Sequence, residues 1–437
     1  MGTNTVTQAK LVMNSFAAIL ENTLVTREAV TWNQYDQEMG TTNRLQVVEQ
    51  IAPRYKVTRT ANGVKDISAG TDGSVWGSEI FSINQTFNAN MGWGDFQAIR
   101  DIGDARKNAA LKGAATSMAE QIDAYILETA SLASNNWTGT VGNNLTDQND
   151  AVSGYTRLKE EGVDDSGLSY ILNYTDKQLL GDQVINLPGP DRMPTDTYRQ
   201  GFSGMMNGVR TLFTQQLPIL TVGTRAASGA SQVDGAAENV NYADVAESTQ
   251  NGFYMTQELN VKGLTAAHTI VAGEVFSIAN VLAYDNRKQA LVSPSRVQQF
   301  TVVTGDTADG SGLATIRIFP AIIVPATGSG DNPNINTAHA TVNSIPANSA
   351  AITWLGTASA SIAPRLILQK EAIVVNSAQL YMPVTGIGMR RNLSKIPLSV
   401  RMWANSDFGT GEYGVRFDVA LNANIRERRR ICRINGT

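Results

Sequence analysis

The sequence has 437 residues, 42% of them hydrophobic and 17% charged, with a net charge of −4; a chain of this make-up folds, and at this length two or three domains are expected. One cysteine, Cys432, excludes an internal disulfide framework and a cysteine-based zinc site, and two histidines, His268 and His339, are too few for a histidine-rich metal centre. The first ten residues lack a basic segment followed by an apolar run, and no stretch approaches twenty uninterrupted apolar residues, so neither secretion nor membrane insertion is expected.

A first helical pattern opens at Thr7, with Leu11, Val12, Phe16, Leu20 and Leu24 on or near one face, and reads as an arm. Between Gln46 and Phe87 the period becomes strand-like: Tyr55 and Val57 alternate with Arg54, Lys56 and Arg59 ahead of Asn62-Gly63, a strong hairpin signal. Lys65 lies just past that turn, and Gly70, Gly73 and Gly77 punctuate the return. The glycine and charge content suits a projecting, two-sided loop, the plainer reading being an ordinary surface hairpin. A long strand over 80–91 then delivers the chain to its most regular element.

That element is a helix over 101–132. Leu111, Ala115, Met118, Ile122, Tyr125, Thr129 and Leu132 recur at spacings of four and three, one stripe of a helix, while Glu120, Gln121 and Glu128 fall on the opposite side. Asp101 and Asp104 are placed to cap its start, and Ser134, Asn135 and Asn136 end it. At 1.5 Å per residue the rod is roughly 45 Å long, a spine.

Beyond a polar loop over 135–149 come a helix over 151–161, a short apolar strand over 168–173, a helical turn over 175–180, and a loop marked by Pro188, Pro190 and Pro194. This mixture predicts an α+β body. From 222 to 345 helical periodicity nearly vanishes, and candidate strands over 252–262, 274–279, 281–285, 297–303 and 314–319 suggest a small barrel or sandwich inserted in a larger domain. Mixed structure returns after 350, with strands near 372–375, 398–403 and 413–421.

Chemical motifs are weak. Gly409, Gly411 and Gly414 fit G-x-G-x-x-G, but 415–421 alternates like a strand where a dinucleotide site needs a helix, so a hairpin turn is the better reading. Gly201-Phe202-Ser203-Gly204 lacks the second glycine of a nucleophile elbow. Glu160-Glu161 and Asp164-Asp165 read as a solvated helix end, and Met205-Met206 as packing. No catalytic residue, cofactor or metal is expected. The basic run Arg426, Arg428, Arg429 and Arg430 has three readings: a solvated or salt-bridged terminal strand, a subunit contact, or a phosphate-attracting patch without the aromatics that nucleic-acid sites interleave. Charge is also segregated: residues 1–221 carry 17 basic and 24 acidic side chains, 222–345 carry 6 and 10, and 346–437 carry 12 and 5. The opposite signs meet either within one monomer or between copies of the chain.

The succession of arm, hairpin, long strand, spine, α+β body and inserted β module resembles the major capsid protein of tailed bacteriophages, in the podovirus coat-protein branch whose apical domain is interrupted by a β-barrel. The similar residues are Asn88-Ala89-Asn90-Met91-Gly92 and Asp95-Phe96 ahead of the spine, Tyr198-Arg199 with Gly201, Leu217-Pro218-Ile219-Leu220-Thr221 at the module entrance, and Asn334-Ile335-Asn336-Thr337 after it. The resemblance implies the tailed-phage and herpesvirus major-capsid fold. Its parts would be an N-terminal arm over 1–36, an extended loop over 37–79, a peripheral domain with the spine over 80–149, an apical and central domain over 150–221 and 346–437, and the inserted domain over 222–345. It further implies a shell of pentamers and hexamers, a scaffolding protein, a portal, and packaged double-stranded DNA met by non-specific contact at most. Arg54, Lys56, Arg59, Asn62, Gly63 and Lys65 of the loop, and Arg426, Arg428, Arg429 and Arg430 of the tail, are then the expected subunit contacts. A secreted or surface β-rich adhesin is the alternative structural reading.

Overall fold

The computed structural model describes residues 2–39, 45–57, 74–93, 105–185, 205–225, 231–325, 333–383, 385–406 and 413–435. Asp101, Asp104, Arg59, Asn62, Gly63, Lys65, Asp95-Phe96, Tyr198-Arg199 with Gly201, and the prolines over 188–194 lie outside the described residues.

Helix α1 (Gly2–Thr23) packs on helix α2 (Ala105–Ala133), the spine. Met13, Phe16, Ala17 and Leu20 of α1 are buried, as are Leu111, Ala115, Met118 and Ile122 of α2, with Ala119, Ile126, Leu127 and Ala130 widening the stripe; Tyr125, Thr129 and Leu132 are only half-buried. Glu120, Gln121 and Glu128 are exposed. The segment expected as an arm therefore has a helix in the main core, because an apolar residue every third or fourth position must be covered. Phe16 stacks on Phe417, ring centroids 3.8 Å apart and planes within 2°.

The helices lie against a six-stranded sheet ordered Thr31–Met39, Ile373–Leu380, Tyr413–Ile425, Ser399–Ser406, Ile387–Asn392, with Gln85–Trp93 also pairing to Tyr413–Ile425. The long strand expected over 80–91 is two strands. Gly77–Ile83 pairs with Leu45–Ile51 in the hairpin, the chain changes partner at Asn84, and Gln85–Trp93 joins the main sheet. The hairpin ladder runs from Leu45↔Ile83 to Ile51↔Gly77. Residues 52–57, expected to alternate as strand, are irregular; Pro53 has no N–H to give a ladder.

A second six-stranded sheet, ordered Asn136–Thr138, Ile431–Ile434, Arg365–Gln369, Leu168–Leu172, Val209–Phe213, Met205–Met206, is packed by helices α3 (Gln148–Glu160) and α4 (Tyr174–Ile185). Its central strands are buried at every position, as strands covered on both faces must be.

The third sheet is antiparallel throughout, ordered Gln232–Val233, Gln257–Lys262, Ala314–Phe319, Val297–Thr304, Val275–Leu282, Ile352–Trp354. Its two edges meet through a bridge between Gln232 and Ala351, with Ile352 N–H donating to the Ser231 carbonyl at 2.9 Å, so the sheet closes into a barrel around its own core. Two expectations are corrected. The strands expected over 274–279 and 281–285 are one strand to Leu282, kinked where Asn280 takes φ 64°. The closing strand Ile352–Trp354 lies beyond the expected boundary at 345, and the module's neck is the pair Leu220–Thr221 with Ser361–Ile362.

Candidate interaction surface

Four of the thirteen exposed large hydrophobic side chains among the described residues belong to the hairpin limbs: Val48 (59% exposed), Tyr55 (59%), Val57 (80%) and Trp76 (55%). Exposed apolar side chains concentrated on one hairpin mark a candidate interaction surface. Tyr55 and Val57 flank a cleft of about 510 Å³ whose other walls are Arg54, Arg287, Lys288 and Ala338. The limb is held against its own module: Arg54 N–H donates to His339 Nε2 at 3.3 Å, Arg54 Nη1 to Asn286 Oδ1 at 2.8 Å, and Lys56 Nζ to Asn334 Oδ1 at 3.3 Å. Burial, then the charges of Arg54 and Arg429, push the His339 imidazole down to about 3, so it stays neutral, accepting the Arg54 amide while stacked 3.5 Å from Tyr242.

The basic run does not form one surface. Arg426 is exposed and pairs with Glu49 on the hairpin, and Arg430 pairs with Glu371 at 2.7 Å. Arg428 is 5% exposed and donates to the Gly252 carbonyl at 3.0 Å and the Ala133 carbonyl at 3.5 Å; Arg429 is partly buried, with Nη2 shielded from solvent. The expectation that all four arginines face a partner is corrected for Arg428: a helix end and a module loop point bare carbonyls at one spot, and a guanidinium satisfies both. Burial lowers its pKa to about 10, leaving it charged at neutral pH.

Sequence reasoning missed how arginines weld module to body. Arg433, fully buried over the Trp137 ring, donates to the Gly273 carbonyl at 2.7 Å, and Arg296 reaches Glu160 at 3.3 Å and Glu161 at 2.5 Å. The Glu160-Glu161 pair, expected as a solvated helix end, is thus an ion-pair socket. Gln299 exchanges two hydrogen bonds of 2.9 Å with the Trp137 backbone, and Thr301 Oγ donates to the Ser134 carbonyl at 2.8 Å. Arg365 grips Asp176 bidentately at 2.8 and 3.0 Å. The segregation of charge carried part of the signal, since basic 346–437 meets acidic 1–221 inside the monomer at Arg365–Asp176 and Arg426–Glu49. Periodicity carries no information on which charges are buried.

Among the described residues no group of three or more His, Cys, Asp or Glu gathers as a metal site, and no helix is long and apolar enough to cross a membrane. Cys432 is buried and its thiol pushed up to about 12, too high to supply a thiolate at neutral pH. A mixed α+β body, a closed β module and an apolar hairpin with cationic flanks define a structural subunit that presents surfaces to other macromolecules.

The chain belongs to the P22 coat protein family, gene protein 5, whose family model matches residues 1–429. It is a major capsid protein, a shell-forming component of the virion. Among solved structures it is similar to a chain of Mycobacterium phage Che8 (11% identity, 90% of this chain and 84% of that one, TM-score 0.38). It is likewise similar to the capsid of cyanophage P-SCSP1u (9%, 93% and 86%, 0.41) and to the mature capsid of bacteriophage PhiM1 (9%, 94% and 86%, 0.39). No curated protein matches the sequence.

Proposed function

We propose that the chain assembles as pentamers and hexamers into an icosahedral shell around double-stranded DNA, with a scaffolding protein and a portal, and that it catalyses no reaction. The observation that carries this is the match to a coat-protein family over residues 1–429. Residues 1–36 act as the N-terminal arm, 37–79 as the extended loop, 80–149 as the peripheral domain with the spine, 150–221 with 346–437 as the apical and central domain, and 222–345 as the inserted β-barrel domain, whose closing strand Ile352–Trp354 follows it. The exposed apolar quartet on the hairpin supports an extended loop that reaches a neighbouring copy. Arg54, Lys56 and Arg426 flank it as the cationic part of that contact, and Arg59, Asn62, Gly63 and Lys65, outside the described residues, are proposed as further members of it. DNA is met by non-specific contact at most, since the basic run is largely engaged inside the subunit.

The test is assembly. Purified chain, with and without its scaffold, is imaged by electron microscopy, and closed particles or capsomers are the expected product. A monodisperse monomer under every such condition overturns the reading.

A further inference from the structure

The hairpin is pinned where its ladder ends at Ile51↔Gly77 and its tip begins. There Ser78 N–H donates to the Ala246 carbonyl at 2.9 Å and Ser248 N–H returns to the Ser78 carbonyl at 3.0 Å, a backbone splice between hairpin and module. Beside it Glu79, 1% exposed, accepts the Gly252 N–H at 2.6 Å on Oε1 and the Tyr254 N–H at 3.1 Å on Oε2. The Gly252 carbonyl is taken by Arg428 at 3.0 Å, and the same guanidinium reaches the carbonyl of Ala133, the last residue of the spine. One residue, Gly252, is therefore gripped on both sides, by the hairpin at its N–H and by the tail at its C=O.

Only glycine fits between the two grips. Gly252 has φ +78°, and a Cβ there would lie 2.8 Å from Arg428 Nη2 and 3.1 Å from Ile425 Cδ1. Its neighbour Asn251 locks the turn sideways, donating to the Ile80 carbonyl at 3.3 Å and to Asn424 Oδ1 at 2.7 Å, while its own Oδ1 accepts Ile425 N–H at 3.3 Å. Hairpin, module, spine and long central strand all meet at this turn. Beyond the end of the ladder the limb 52–57 is held by single hydrogen bonds from Arg54 and Lys56.

We propose that Glu79, Gly252 and Arg428 are positioning residues for shell assembly: their joint fixes the direction in which the tip of the hairpin leaves the subunit, and so the curvature of the shell. The inference rests on the extended-loop reading given under Proposed function.

The test uses the full chain carrying Glu79→Ala, Glu79→Gln or Gly252→Ala, followed by hydrogen exchange before assembly and electron microscopy after it. Glu79→Ala and Gly252→Ala are expected to speed exchange of the Ser78 and Ser248 amides at least tenfold, and to turn closed shells into open or wrongly sized particles. Exchange of the barrel strand Val275–Leu282 stays at its wild-type rate, which separates a loosened joint from a destabilised module. Glu79→Gln keeps the shape and one acceptor oxygen and falls between wild type and alanine. Should Glu79→Ala not fold, Arg428→Lys, which keeps the charge but cannot span both carbonyls, takes its place. Variants that loosen the joint yet close shells of wild-type diameter overturn the inference, as do variants with unchanged Ser78 and Ser248 exchange. Wild-type chain that never closes a shell overturns the assembly reading instead, while the exchange arm still tests the joint.

Discussion

Burial pushes the Glu79 carboxyl up to about 7, against the pull of the Gly252 and Tyr254 amides and of the Arg428 charge. In the unfolded chain the same group titrates near 4.5. Between those values the folded protein holds a proton that the unfolded chain has released, so this residue's contribution to stability is full below the lower value and is lost as pH rises through the upper one. At 1.36 kcal/mol per pH unit of mismatch, the loss between pH 5 and pH 8 is about 2.5 kcal/mol. Chemical denaturation of wild type and Glu79→Gln across that range is expected to show a stability difference that shifts in the variant's favour as pH rises. A difference that stays flat from pH 5 to pH 8 would mean that Glu79 titrates as an ordinary surface carboxylate. Asp150, Glu161 and Asp285 do not confound the window, because their folded-state values are lowered and their titration falls at more acidic pH.

The elements are joined by buried polar groups as much as by apolar faces. Asp123, on the buried side of the spine, accepts Val25 N–H at 2.8 Å, Thr26 N–H at 3.0 Å and Thr26 Oγ at 2.5 Å, and so caps the turn that follows α1. Asp123→Ala strips two buried amides of their acceptor, and the expected loss is about 3 kcal/mol of unfolding free energy. Asp123→Asn, which keeps one acceptor oxygen, is expected to lose roughly half of that; no loss in either variant would show that apolar packing alone holds this turn against the spine. The spine itself was legible because Leu111, Ala115, Met118 and Ile122 repeat at one period with charges opposite, and tertiary packing did not override it. Asp123 was not legible: on a helical wheel a lone carboxylate beside the stripe reads as a border residue, and its partners lie 97 and 98 positions away in the chain. The partner switch at Asn84 was equally hidden, since Phe81 and Ile83 before it and Phe87, Ala89 and Met91 after it keep the odd-numbered positions inward, with Gln85 exposed, while the hydrogen-bonding partner changes. For the hairpin surface, Tyr55 and Val57 were singled out from their alternation, but Pro53 makes their exposure the consequence of an irregular limb. Arg428 misled for a different reason: a run of four arginines within five residues predicts solvent, and tertiary carbonyls decided otherwise.

At the scale of the whole molecule, three large sheets are assembled around one cationic tail, whose Arg428 and Arg433 reach the spine end at Ala133 and Ser134 and two turns of the module at Gly252 and Gly273. The module is bound to the body by polar contacts to Ser134, Trp137, Glu160 and Glu161 and by a small shared apolar cluster in which Trp137 meets Val222, Val275 and Ile362, while its main cluster of Val233, Leu259, Phe276, Phe300, Ile316 and Trp354 is closed off inside the barrel. Losing those polar contacts costs little when water can replace the partners, whereas opening the barrel exposes apolar surface at about 25 cal/mol per Å². A fragment over 220–362 is therefore expected to fold alone, with a dispersed amide spectrum by NMR, since it keeps the neck and the closing strand. The shorter fragment over 222–345, whose bounds follow from texture alone, lacks Ala350, Ala351 and the strand Ile352–Trp354, so Gln232 and Val233 lose their partners on the closing edge and Phe276 loses the Trp354 ring 4.9 Å away. It is expected to be unfolded or aggregated. A well-dispersed spectrum from the shorter fragment would mean that the barrel does not depend on its sixth strand, and a disordered longer fragment would mean that the module borrows its stability from the arginines of the tail.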